Sequence, residues 1–177
     1  MAATTGLITV AEFEKLVRDN VRLELRHGEV ITMPPPGMAH FWIARRIRQA
    51  LEQRLGAFGV VDREIPVRPL PESEVWIADV AFLSRHKAEA ASTRWLLGVP
   101  DLVVKVLSPA NTAEEMLDRE DTCLTNGGKQ FWTVSIERIT IKVTSAGGRT
   151  ANYRPGDEID LAEFGGGKLA VSQVFSE

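Results

Sequence analysis

Two stretches leave this chain little choice of architecture. Val75–Leu83, VWIADVAFL, and Asp101–Leu107, DLVVKVL, are almost unbroken apolar runs of strand length. Runs of this kind, without polar alternation, predict strands covered on both faces. Each carries one charge near its middle, Asp79 in the first and Lys105 in the second. Strands this apolar are interior, and a charge there must pair, ligate or find a route to water.

The remaining pattern surrounds these strands with helices and shorter strands. Thr9-Val10-Ala11-Glu12 is a capping box that opens a helix running to about Asn20. Val21–Leu25 and Glu29–Met33 predict a hairpin about Arg26-His27-Gly28. After Pro34-Pro35-Pro36, Ile43, Ile47, Ala50, Leu51 and Leu55 recur at helical spacing and predict a long helix over 39–55. Val60–Pro66 is a strand, and residues 84–97 have room for a short helix. Thr112-Ala113-Glu114-Glu115 is a second capping box, opening a helix to about Asn126 with Ala113, Met116, Leu117 and Leu124 as its apolar stripe. Gln130–Ser135, Ile139–Thr144 and Ala151–Arg154 complete the strands. The order is mixed, without strict βαβ alternation, so the expected class is α+β or a mixed-sheet α/β fold.

Composition narrows the function classes. A length of 177 residues suits a single domain over 1–177. At 44% hydrophobic and 25% charged the chain is an ordinary globular protein, not a disordered one. No apolar run reaches the ~20 residues of a membrane helix, and the first residues lack the pattern of a secretory signal. A lone cysteine, Cys123, excludes an internal disulfide, and a cytoplasmic location is the default expectation. The net charge of −3 excludes a protein that coats nucleic acid by bulk positive charge, so any such contact must be a local patch.

Asp79 and Lys105 each allow two readings. Asp79 is either a carboxylate on a wet sheet face or a metal ligand set into the sheet. Lys105 is either a side chain whose ammonium reaches solvent or a buried partner. Taken together, each supplies the partner that the other needs.

Five segments in order, LELRHGE from Leu23, MPPP from Met33 followed by His40, IADVAF from Ile77, LVVKVLSP from Leu102, and the helix ending at Gly127 followed by Phe131-Trp132, make the chain similar to a known family. It resembles the Uma-two family of restriction-endonuclease-like proteins, within the PD-(D/E)XK nuclease superfamily. The resemblance implies a restriction-endonuclease-like core, a central mixed β-sheet flanked by helices, that hydrolyses DNA phosphodiesters with Mg²⁺. It also implies double-stranded DNA as substrate and a homodimer. Glu24 and Asp79 stand at two of the family's site positions. Lys105 stands where the family has a ligand Glu, and Arg119 where it has a Lys. Asp79 is then the one metal ligand left, if a metal binds at all.

These replacements alter the chemistry. Mg²⁺ takes oxygen ligands in near-octahedral geometry. Mg²⁺ and an ammonium at ~4 Å repel by roughly 8 kcal/mol at an effective dielectric of 20. Neutralising Lys105 instead, by moving its pKa from ~10.4 to neutrality, costs about 5 kcal/mol. The expectation is therefore a degraded site with Mg²⁺ weakly bound or absent, in which the Lys105 ammonium takes the ion's place and pairs with Asp79, with Glu24 as a further candidate partner. The alternatives are an active Mg²⁺ nuclease with a rearranged site that recruits another acid such as Glu64, and a non-catalytic DNA- or protein-binding module. Arg119 either clamps a phosphate or is a solvated residue between Asp118 and Glu120. His40, Arg45, Arg46 and Arg48 are the DNA-contact candidates, with Arg54 on the same helix. The competing reading of the arginines is a solvated helix face, and that of His40 a helix-start hydrogen bond. Cys123, beside the apolar stripe, reads as a small buried residue.

Overall fold

Both apolar runs lie at the centre of a seven-stranded mixed sheet. The structure, a computed structural model, describes residues 6–17, 22–91 and 94–176. Its elements are α1 (Val10–Leu16), the hairpin β1 (Leu23–Arg26) and β2 (Glu29–Thr32), α2 (Met38–Leu55), β3 (Gly59–Arg68), β4 (Trp76–Ser84), α3 (Arg85–Ala90), β5 (Leu96–Leu97) and β6 (Leu102–Val106). They continue with α4 (Ala113–Thr125), β7 (Gln130–Ser135), β8 (Thr140–Ser145), β9 (Thr150–Tyr153), β10 (Glu158–Asp160), a 3₁₀ turn (Ala162–Phe164), β11 (Lys168–Ala170) and α5 (Ser172–Phe175). The sheet order is β5-β3-β4-β6-β7-β8-β9. β6 runs parallel to β7 and β3 to β5, and the other neighbours are antiparallel.

Both sheet faces are covered, as the apolar runs require. One core joins α2 (Ile43, Ile47, Leu51, Leu55) to Val80, Phe82, Val104 and Trp132, and extends to Ile159, Leu161, Phe164, Leu169 and Val174 of the C-terminal segment. The other gathers Trp76, Ala81, Val103, Phe131 and Cys123. The C-terminal elements β10 to α5 were not anticipated. They are three or four residues long, too short for periodicity to register.

Local rules explain most boundaries. Thr9 and Glu12 form the reciprocal capping box at α1. That helix stops at Leu16, short of the expected end, and Asn20 and Val21 lie outside the described residues. His27 and Gly28, at φ +46 and +84, make the two-residue turn that suits the twist of a hairpin. Gly127 follows α4 at φ +96, the left-handed stop expected there.

The second capping box forms only by half. Thr112 accepts from the Glu115 amide, but the Glu115 carboxylate is held by arginines instead (below). The stripe expected on α4 holds at Met116 and at Leu124, which packs half-buried against the core, and is corrected at its other two positions. Met116, Arg119, Thr122 and Cys123 are its buried residues, while Ala113 is exposed and Leu117 is 60% exposed. The helix is rotated so that Arg119 faces inward, a choice that apolar periodicity cannot foresee.

Candidate functional site

The site is built where neighbouring strands part. β4 pairs with β6 through Phe82↔Leu102, Ala81↔Val103 and Val80↔Val104, and there the ladder ends. Continuing the register would set Asp79 against Lys105. On the other side of β4, the β3 ladder skips from Arg63↔Val80 to Ile65↔Ala78, leaving Glu64 across from Asp79. Glu64 has φ +55, a left-handed conformation that a residue with a Cβ rarely adopts. The backbone is thus irregular on both sides of Asp79.

Asp79 fills the gap with side-chain interactions. The Lys105 ammonium lies 3.0 Å from Oδ1, and also donates to the Ile77 carbonyl at 3.1 Å. The Val106 amide, freed where the ladder ends, donates to Oδ2 at 2.7 Å. His40 Nε2 lies 3.4 Å from the same oxygen. Asp79 and Lys105 are both buried. Burial alone would push the Asp79 carboxyl up. The Lys105 charge, the adjacent His40 and the Val106 amide outweigh it and hold the carboxyl down at about 2. Lys105 does not reach solvent, and Asp79 is not on a wet face.

A second charge pair lies behind the first. The hairpin is zipped to the approach of β4 by Leu25 and Val75, which exchange both backbone hydrogen bonds at 2.7 and 2.9 Å. That places Glu24 beside β4, where its Oε1 accepts from the Ile77 amide at 3.1 Å. Its Oε2 takes a direct ion pair from Arg119. Arg119 is 1% exposed, so the solvated reading of this residue is corrected. Its Nη2 also meets Glu115 at 3.1 Å, and its guanidinium lies 5.4 Å from the Trp76 ring centre. Arg26 reaches Glu115 at 3.4 Å. Burial would lower the Arg119 pKa, but the Glu24 and Glu115 carboxylates outweigh it and the shift is upward. The expectation that Glu24 shares Lys105 is corrected as well: its carboxylate pairs with Arg119.

A cavity of about 450 Å³ opens onto these groups. Glu24, Asp79, Lys105 and His40 line it, together with Pro34–Pro36 and the Leu107–Asn111 loop. Arg119 lies outside the lining, behind Glu24. Sequence reasoning missed Glu115, whose i,i+4 spacing to Arg119 was a usable signal. It also missed Arg22 and Asn111. Asn111 holds the loop by accepting from the Ser108 amide at 2.9 Å.

The DNA-contact candidates separate. Arg48 lies 3.7 Å from Asp62 and 4.0 Å from Glu52. Arg54 donates to the Lys168 and Ala50 carbonyls. Arg45 lies over the Trp42 ring, 5.5 Å from its centre. Arg46 has no ion pair among the described residues. Cys123 is buried, and burial pushes its thiol up to about 12, which disfavours the thiolate that a nucleophile needs.

This donor set does not fit Mg²⁺. Both Asp79 oxygens and both Glu24 oxygens already accept from cations or amides. Among the described residues, no three of His, Cys, Asp or Glu converge to hold a metal ion.

The architecture matches that of a solved structure. The crystal structure of a protein described as a putative nuclease belonging to DUF820, from Anabaena variabilis, superposes with a TM-score of 0.82 at 19% identity, covering 96% of this chain and 98% of that one. The two chains thus share one mixed α/β fold, a central sheet flanked by helices. Residues 10–172 match the model of the Uma2 family, described as a putative restriction endonuclease, and the chain belongs to that family. No curated protein matches it. No helix among the described residues is long and apolar enough to cross a membrane.

Proposed function

We propose that this protein is a restriction-endonuclease-like domain whose metal centre has been replaced by internal ion pairs, so that it does not cleave DNA with Mg²⁺ and acts by binding nucleic acid. One observation carries the reading: the Lys105 ammonium, 3.0 Å from Asp79, sits at the position the family resemblance assigns to a ligand Glu. An ammonium there supplies charge but no oxygen. Arg119 supports the same conclusion. It stands where the resemblance expects a Lys, and its guanidinium, buried against Glu24 and Glu115, stays charged and cannot serve as a general acid or base near neutral pH.

The rearranged-site alternative needs a third acid, and Glu64 is the one within reach on the neighbouring strand. Its carboxylate lies 3.1 Å from Arg22 and is largely exposed, which favours the inactive reading.

The test is cleavage of supercoiled plasmid in Mg²⁺ and in Mn²⁺, with Mn²⁺ binding followed by electron paramagnetic resonance. The wild type is expected neither to cut nor to bind Mn²⁺ saturably. The variant Lys105→Glu with Arg119→Lys restores the family pattern and is expected to gain both. Robust cutting by the wild type, or saturable Mn²⁺ lost on Asp79→Asn, would remove the proposal.

A further inference from the structure

The outer side of α2 carries a ladder of aromatic rings and guanidinium groups. Arg63 of β3 lies 4.7 Å from the Phe41 ring centre. Phe41 meets Trp42 edge to face at 5.1 Å. Arg45 then lies 5.5 Å from the Trp42 ring centre. Met38, Trp42, Arg45, Arg46 and Gln49 share one helical face by their spacing, opposite the side where Ile43, Ile47 and Leu51 enter the core.

Folding does not account for this surface. Trp42 is 43% exposed, although its helix has an apolar core to enter. The guanidinium groups of Arg45, Arg46 and Arg63 form no ion pair with a carboxylate among the described residues, in a chain that carries more acids than bases. The nearby Arg22 and Arg48, by contrast, are taken by Glu64 and Asp62. Cationic groups with no acidic partner, beside an exposed ring, complement a polyanion that also offers flat faces.

We propose that this surface binds single-stranded nucleic acid, with a base stacked on Trp42 and phosphates held by Arg45, Arg46 and Arg63. A duplex offers the phosphates but hides the faces of its bases, so only unpaired bases use the ring. His40, on the inner side of the same helical turn, lines the cavity. A strand crossing the start of α2 therefore passes about one helix diameter, ~10 Å, from it. The inference deepens the nucleic-acid-binding reading above by naming the strand state that is bound.

The experiment measures anisotropy of labelled oligo-dT and of a duplex of equal length, in EDTA and across a salt series. Oligo-dT is expected to bind more tightly than the duplex. Trp42→Ala should weaken it at least about fivefold, the lower end for one stacked base, and Trp42→Phe should retain most of the affinity. Arg45→Gln with Arg63→Gln should flatten the salt slope by about 1.4, at ~0.7 per phosphate on a single strand. The double arginine variant decides alone if Trp42→Ala fails to fold. Duplex binding as tight as oligo-dT, binding of neither, an unaffected Trp42→Ala or an unchanged slope in the arginine variant would each overturn the proposal. Cleavage of the same oligonucleotide on adding Mg²⁺ would sink the inactive-site reading and leave this one standing.

Discussion

Replacing Lys105 by Met tests the physical core of this account. Methionine keeps most of the volume of the lysine stem but removes the ammonium that lies 3.0 Å from Asp79. Asp79 then keeps the Val106 amide and His40 as neighbours, in a site that remains buried. Removing one member of a buried ion pair typically costs about 3–5 kcal/mol. For a chain of this length each kcal/mol shifts the midpoint by roughly 2–4 °C, so melting should fall by about 6–20 °C. The double variant Asp79→Asn with Lys105→Met should recover most of that loss, because an amide oxygen can still accept from Val106 and no buried charge is left unpaired.

The pH dependence supplies an independent check. In the wild type the Asp79 carboxyl is held near 2, below its ordinary 3.8, so its contribution is fully present above 3.8 and is lost as pH falls toward 2. That contribution is of order 2 kcal/mol. In Lys105→Met burial dominates and the carboxyl moves upward instead. The penalty is then largest at neutral pH and shrinks on acidification, as protonation removes the unpaired charge. Denaturant unfolding at neutral and mildly acidic pH measures both effects. If Lys105→Met melts within about 2 °C of the wild type, under ~1 kcal/mol, the ion pair does not hold the site and the reasoning fails.

Further outcomes follow from the same geometry. Glu24→Gln leaves the buried Arg119 guanidinium with Glu115 as its remaining carboxylate partner and should cost about 3–5 kcal/mol in urea unfolding. Glu74 is buried with its carboxyl pushed up, by burial first and Asp118 after it, against His27, Trp76 and Arg119. A raised carboxyl contributes stability below its unfolded value, here 4.5, and loses it as pH rises. Glu74→Gln should therefore raise the melting temperature at neutral pH, with the gain fading below about pH 4.5, since an amide can still accept from Trp76 Nε1 at Oε1. Cys123 should resist aromatic disulfide reagents in the native protein and react promptly in denaturant.

The sheet was legible in the sequence because its central strands are buried on both faces. Unbroken apolar runs express that directly, and the same runs made Asp79 and Lys105 conspicuous. Their pairing could be anticipated because a buried charge needs an opposite one. Arg119 was harder to place. An arginine flanked by two acids in a polar helix resembles a solvated residue, and only the third dimension brings Glu24 to it, through a hairpin fastened to β4 at Leu25 and Val75. The place of Leu117 on α4 is hidden for the same reason, although Met116 and Leu124 do face the core. Burying Arg119 turns Leu117 outward, which no apolar count would favour. The strain at Glu64 left no trace at all, since nothing in local sequence marks a residue held in a left-handed conformation where the β3–β4 ladder skips a pair.

Charge balance links the two departures from the family pattern. A hairpin Glu, a strand Asp, a ligand Glu and a helix Lys, the set the resemblance describes, leave two negative charges for a divalent ion to neutralise. Changing the ligand Glu to Lys105 shifts that balance by two, the charge of the ion itself. Glu24 and Asp79 are then matched by Lys105 and Arg119 with no metal present. The replacement at the helix position keeps the sign while changing the shape. Arg119 reaches Glu24 and Glu115 at once with one planar group, which leaves Asp79 as the carboxylate that Lys105 pairs with. On the proposed reading the two substitutions are coupled. Lys105→Glu by itself would place an acid beside Asp79 while Arg119 stays committed to Glu24, so it should destabilise the fold in metal-free buffer more than the double variant with Arg119→Lys does once Mg²⁺ is added. Equal melting of the two variants, with and without Mg²⁺, would show that the positions act independently.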